Sequence, residues 1–265
     1  MPSFPQFNPA RIRSYVFRLP LCTRVLAAVM ICLYIATIPF PWLREFGQLE
    51  PAKMNFTQMH RLNLFPLMHL NFFHMIFNLI ALTPLLERFE SEFGTLVTLA
   101  LFTGPFGTIP GGVYTLLEKF VLHSNTIVMG ASIWVFLLLS AEVMKTHKTN
   151  PTFNVGPYKI PTWTTPLILV LVTSFIVPNV SLLGHLCGAG LGYLWASGYI
   201  KFLVPHEKIL RWVETKLNLL ARLPHYVSVD QKTYGRYGVL PTSSTPGAPL
   251  GNMPRSPEPG QKLGP

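Results

Sequence analysis

The chain alternates long apolar stretches with short polar ones. Residues 25–42 carry no charge, and Pro39 and Pro41 stand at their exit. Residues 67–86 are again free of Lys, Arg, Asp and Glu but hold His69, Asn71, His74 and Asn78. A third stretch runs from residue 93 to about 113, interrupted by Gly104, Pro105, Gly107 and Pro110, and a short fourth covers residues 127–141. Residues 160–200 then lack any Lys, Arg, Asp or Glu, a run too long for one membrane helix. Pro178-Asn179 divides them into stretches of 163–177 and 180–200. A hydrocarbon core of roughly 30 Å is crossed by about 20 apolar residues. The pattern therefore predicts an all-α polytopic membrane protein, a six-transmembrane-helix bundle.

Composition agrees. Apolar residues make up 49% of the 265 and charged residues only 12%, against about 25% charged in soluble domains. Basic residues set the orientation. Six spans put both termini on one side, and that side holds seventeen of the Lys and Arg residues against four, Arg44, Lys53, Arg61 and Lys119, on the other. The long tail carries nine of the seventeen, and without it the count is still eight against four. The termini are expected in the cytosol. The net charge of +10 is expected to reflect this topology and contact with anionic lipid, and no basic folded face for nucleic acid is seen. Cys22, Cys32 and Cys187 lie in or beside apolar stretches without the spacing of a disulfide framework. Cys22, beside Arg24, is a candidate for acylation.

The expected divisions are a cytosolic N-terminal segment at residues 1–19, a membrane domain at 20–203, an amphipathic cytosolic helix at 204–231 and a Pro/Gly/Ser-rich disordered tail at 232–265. The helix rests on Leu210, Val213, Leu217 and Leu220 at helical spacing, with Lys208, Arg211 and Arg222 between them. The tail rests on its composition.

Ionisable groups inside membrane spans are costly and point to function. His74 and Asn78 share a helix face at i and i+4. The fourth stretch contains Gly130-Ala131-Ser132, and the sixth contains Gly184-His185 followed by Gly188 and Gly192. In a six-span topology these three stretches all enter from the non-cytosolic side. With a rise of about 1.5 Å per residue, Ser132, His185 and His74 fall roughly 7–10 Å below one surface. A serine hydroxyl needs a base within hydrogen-bond reach, and His185 supplies one. The only Asp is Asp230, in the tail, so a dyad is expected, its imidazole oriented by packing or stacking. Asn78, His74 and the Ser132 backbone N–H are candidate donors to an oxyanion. Gly184, Gly188 and Gly192 form a small-residue stripe that permits close helix approach. Each element alone has a plainer explanation, since membrane serines commonly bond the carbonyl one turn back and small-residue stripes serve packing. The combination at one depth is what points to a site.

These residues resemble the rhomboid family of intramembrane proteases. His74-Met-Ile-Phe-Asn78 matches its HxxxN motif, Gly130-Ala131-Ser132 its GxS motif, and His185 with Gly188 and Gly192 its histidine motif; His69 stands where members often have another histidine. The resemblance covers about residues 20–203. It implies Ser132 as nucleophile, His185 as general base, His74 and Asn78 as oxyanion support, no metal or cofactor, and single-span membrane proteins as substrates, cut near the lumenal surface. Two positions depart from the family: Ile133 follows the serine where Gly is common, and the frequent Trp-Arg pair of the first loop is absent. The six-span form and Pro-rich tail are similar to the fungal rhomboid 2 subfamily. That likeness implies a Golgi membrane location, processing of sterol-regulatory transcription factor precursors, and a cytosolic AAA ATPase recruited through the tail, with residues 234–240 as the docking segment. The alternatives are a catalytically inactive rhomboid-like protein that binds membrane clients, or a transporter, for which no internal repeat is present. A zinc peptidase would need HExxH, but Leu210 occupies the second ligand position after His206-Glu207.

Overall fold

The structure is a computed structural model that describes residues 9–177, 180–218 and 220–233. It is mainly helical. After α1 (Pro9–Arg18), α2 (Leu21–Ala36) leads into a first loop built from short turns, including α3 (Trp42–Gly47) and α4 (Arg61–Leu64). The long helix α5 (Phe72–Phe93) is followed by α6 (Thr95–Phe102) and α7 (Pro105–Leu116), then by α8 (Ser132–Thr149), α9 (Thr165–Ile176), α10 (Leu182–Ala196) and α11 (Glu207–Lys216). Two helical stretches, Phe72–Phe93 and Thr95–Val121, are long and apolar enough to cross a membrane; Leu21–Ala36, Thr162–Ile176 and Leu182–Ala196 are apolar but shorter.

The structure departs from the all-α expectation at one place. Between α8 and α9 a small antiparallel hairpin pairs β1 (Thr152–Val155) with β2 (Tyr158–Pro161). Gly156, at φ +58°, makes the tight turn. The division expected at Pro178-Asn179 and the docking segment proposed at 234–240 lie outside the described residues.

Aromatic rings knit the interior. Phe89 on α5 lies 4.6 Å from Phe93, 5.8 Å from Phe106 on α7 and 5.5 Å from Trp195 on α10, centroid to centroid. Trp134, fully buried on α8, meets Phe102 edge-on at 5.2 Å and donates its indole N–H to the Phe106 carbonyl at 3.2 Å. Such rings bury the most apolar area per residue, and edge-on pairs add to it. Leu210 of α11 and Val229 belong to the same core cluster, so the chain past residue 203 packs back onto it.

At the end of α5 opposite His74 the core contains one carboxylate. Glu90 is fully buried and accepts from the Cys22 N–H (2.8 Å), the Thr23 N–H (2.7 Å), and the Thr23 and Thr95 hydroxyls (2.8 and 2.7 Å). The N-cap of α2 is Pro20, which makes no side-chain bond to the helix. Glu90 thus satisfies from α5 the N–H groups that a helix start leaves open. Thr95 extends the network by exchanging bonds with Val227, both at 2.9 Å. Cys22 is buried in this node, which argues against it as an acylation candidate.

Removing the Glu90 carboxylate strands several interior donors, each costing on the order of 1–3 kcal/mol. Glu90→Ala is therefore expected to lose about 3 kcal/mol of stability, read as a lower Tm in detergent; an unchanged Tm would show that the node contributes nothing.

Candidate active site

Three helices begin at the same place. Asn71 caps α5, its side chain accepting from the His74 N–H at 2.9 Å, which makes His74 the third residue of the helix. Ser181 caps α10 in the same way, accepting from the Gly184 N–H at 3.0 Å, and His185 is the fourth residue. Ser132 is the first residue of α8. The expectation of a helix from residue 127 with Ser132 about five residues inside it is corrected here. Residues 127–131 are apolar but not helical, because Val128 is paired in a β-bridge with Leu49, both bonds at 3.0 Å. Extended chain carries Ser132 inward.

The rest of that approach is fastened by the first loop. The Gly130 N–H donates to the Phe65 carbonyl at 2.8 Å. The Ala131 N–H lies 3.4 Å from His69 Nε2, whose Nδ1 lies 3.1 Å from the Leu67 carbonyl. A neutral imidazole meets both only with its proton on Nδ1. The loop itself is held by Arg61, which is buried and donates to the carbonyls of Glu45 (2.5 Å) and Gln48 (2.7 Å) and to the Gln58 side chain (2.8 Å). The first loop thus has an arginine anchor although the residue before it is His60 and not Trp.

Gly130 joins this approach to α5. Its φ of +112° belongs to the left-handed side of the map, and a β-carbon there would lie 2.6 Å from His74 Cε1 and 3.6 Å from Asn78 Nδ2. The His74 and Asn78 side chains therefore border the residue two before Ser132. Asn78 spends one N–H on the His74 carbonyl at 2.9 Å; a side-chain amide has a second.

The α10 helix packs most extensively against α8. A β-carbon on Gly188 would lie 2.3 Å from the Ile133 carbonyl oxygen, and one on Gly192 would lie 2.1 Å from that of Leu137. Any side chain at either position would push the helices apart. Gly184 differs: its nearest neighbours, at 3.4 Å, are Ser181 and Val128, so it is not part of the tight seam. Within that seam the His185 ring packs against that of Phe136 on α8 in a tilted arrangement, centroids 4.5 Å apart and planes at 36°. Phe136 stands one turn after Ser132. The imidazole is buried, and its Nδ1 has no hydrogen-bond partner among the described residues. Among the described residues the ring's aromatic contact is Phe136, and no carboxylate bonds to it. The Ile133 side chain belongs to the core cluster beside Gly188, away from solvent.

The Ser132 hydroxyl makes no hydrogen bond among the described residues and is half-buried, as is His74. Nor does Ala131, the N-cap of α8, supply a side-chain cap, in contrast to Asn71 and Ser181. The N–H groups of Ser132 and Ile133 therefore have no partner among the described residues, while that of Trp134 donates to the Ala131 carbonyl at 2.9 Å.

Such an arrangement is that of a membrane-embedded serine peptidase, and the Rhomboid domain family matches residues 57–202; the chain belongs to the rhomboid family. It is 56% identical to rhomboid-type serine protease B of Aspergillus fumigatus over 245 residues, covering 92% of this chain and 90% of that one. It is 52% identical to rhomboid-type serine protease 2 of Neurospora crassa over 266 residues (98% and 95%), and 31% identical to that of Saccharomyces cerevisiae over 239 residues (87% and 90%). It is a rhomboid-type serine protease, a peptide-bond hydrolase of a membrane-embedded family whose substrates are transmembrane proteins.

Residue patterns alone had not singled out Arg61 or Phe136. Phe136 carries a readable signal, since it falls four residues after Ser132 on the same helix face. Arg61 has none, being one of three Lys and Arg residues in the first loop, with Arg44 and Lys53.

Gly130→Ala is expected to cut peptidase turnover by about 100-fold or more, the loss that a misplacement near 1 Å brings. Assay of the purified variant on a single-span substrate measures this, and turnover within threefold of wild type would show that the tight fit against His74 is dispensable.

Proposed function

We propose that the protein crosses the bilayer six times and cleaves single-span membrane proteins near the lumenal surface, through a dyad of Ser132 and His185. The observation that carries this reading is the seam between α8 and α10. Gly188 sits against the carbonyl of Ile133, next to Ser132, while His185, three residues earlier, packs against Phe136. The nucleophile candidate and the base candidate thus belong to one contact between two helix starts. Peptidase sites often tighten their catalytic hydrogen bonds only when substrate is bound.

In this reading Ser132 Oγ attacks the scissile carbonyl carbon while His185 Nε2 accepts the hydroxyl proton. The tetrahedral oxyanion is met by the Ser132 N–H, the free amide N–H of Asn78 and the His74 ring. As the C–N bond breaks, His185 returns the proton to the leaving amine and Ser132 is left acylated. A water then attacks the ester, His185 takes its proton, and the cleaved carboxylate departs as the proton passes back to Ser132. The buried Phe136 face and the seam fix the imidazole in place of the carboxylate of a triad.

In the same reading the protein sits in the Golgi membrane with cytosolic termini and takes a sterol-regulatory transcription factor precursor as substrate; the resemblance of its residues to the fungal rhomboid 2 subfamily implies the location and substrate, and the distribution of Lys and Arg the orientation. The cytosolic AAA ATPase stays a proposal for the tail beyond residue 233.

A serine-reactive fluorophosphonate is expected to label Ser132 in the wild-type protein and to leave Ser132→Ala and His185→Ala unlabelled, with cleavage of a single-span substrate lost in step. Equal cleavage by wild type and a folded Ser132→Ala would remove the dyad from consideration.

A further inference from the structure

The approach to Ser132 is anchored at alternate residues, and one anchor comes from a different element than the rest. Val128 and Gly130 are tied to the first loop. Thr126 is tied to α7 and to the wide turn that follows it, Leu117–Val121. Its N–H donates to Glu118 Oε2 at 3.0 Å, and its carbonyl accepts from the Tyr114 hydroxyl at 2.6 Å. The same Glu118 oxygen accepts from the Ser124 hydroxyl at 2.5 Å, and the Glu118 carbonyl from the Ser124 N–H at 2.9 Å.

Both side chains are out of solvent: Glu118 is 3% exposed and Tyr114 is 0%. A carboxylate so placed is costly unless its partners are good. It holds both polar groups of one peptide region together with Tyr114, six residues ahead of Ser132. The helix that carries Tyr114, α7, also packs against α10, whose N-cap is Ser181 and whose fourth residue is His185. Tyr114 therefore ties the segment that delivers Ser132 to a helix packed on the one that delivers His185.

We propose that Tyr114 and Glu118 are positioning residues for the peptidase reaction, setting Ser132 against His185 by holding Thr126 and α10 in one frame. This rests on the reading of Ser132 as nucleophile. Neither residue touches substrate in this account. Loss of the frame shifts the relative placement of hydroxyl and imidazole, so it lowers the rate at the serine and leaves substrate binding alone.

The test compares Glu118→Ala, Glu118→Gln and Tyr114→Phe with wild type in detergent, at a temperature below the measured Tm of each. Two quantities are read: the rate of fluorophosphonate labelling at Ser132, and the split of kcat from KM on a single-span substrate. Glu118→Ala is expected to slow labelling and kcat by roughly 10- to 100-fold with KM within about threefold, since small misplacements act on the reacting geometry. Glu118→Gln keeps an oxygen that accepts from both Thr126 and Ser124, so it is expected within about threefold of wild type. Tyr114→Phe removes one hydroxyl and leaves the ring, and is expected to slow labelling about tenfold.

A merely structural role predicts a lower Tm with labelling of the folded protein at the wild-type rate, and that result overturns the proposal. Should Glu118→Ala not fold, Tyr114→Phe decides alone, with wild-type labelling by it counting against the pair. Failure of the nucleophile reading is distinguishable, because wild type would then show no label at Ser132.

Discussion

The architecture turns on how closely two helix backbones approach. At Gly188 and Gly192 a single methyl group would collide with carbonyl oxygens of α8. In lipid there is little hydrophobic force between helices, so packing at van der Waals distance is what joins them. That packing sets the separation between the first turn of α8 and the first turns of α10. The imidazole of His185 is consequently confined to a slot whose one wall is Phe136. In the proposed dyad this contact takes the place of an acidic third member.

The helix starts divide their labour accordingly. Asn71 and Ser181 cap α5 and α10 with their own side chains, and Glu90 caps α2 from another helix. Only α8, among the four, begins on an alanine whose preceding chain is held from outside, by Leu49, Phe65 and His69. A helix left uncapped in this way retains donors aimed at its N-terminal space, where negative charge is favoured. Ser132, the proposed nucleophile, stands at that point.

Much of this was legible in the sequence because the site depends on residue types that lipid does not tolerate by chance. His74, Asn78, Ser132 and His185 stood out against apolar surroundings, and the glycines of α10 at i, i+4 spacing marked the seam. Other parts were hidden for physical reasons. Residues 127–131 read as helix because they are apolar, yet their partner is Leu49, far away in the chain; hydropathy has no access to a long-range bridge. Gly184 looked like a third seam residue, but its neighbours are a cap and a loop rather than a backbone. The hairpin at residues 152–161 lies in a polar loop whose strands are short and mostly exposed. Arg61 entered only as one of the basic residues that set orientation, and nothing in the pattern marked Glu90; only the fold shows both to be buried and hydrogen-bonded.

The central claim is that the Ser132 hydroxyl, the His185 imidazole and the donors at the starts of α5 and α8 share one reacting centre. An experimental structure of the protein after reaction with a fluorophosphonate tests it most directly. The account predicts phosphorus bonded to Ser132 Oγ, its oxygen about 2.7–3.1 Å from the Ser132 N–H nitrogen and from Asn78 or His74, with His185 still packed against Phe136. An adduct whose oxygen points away from those donors, or an imidazole swung off the Phe136 ring, would contradict it.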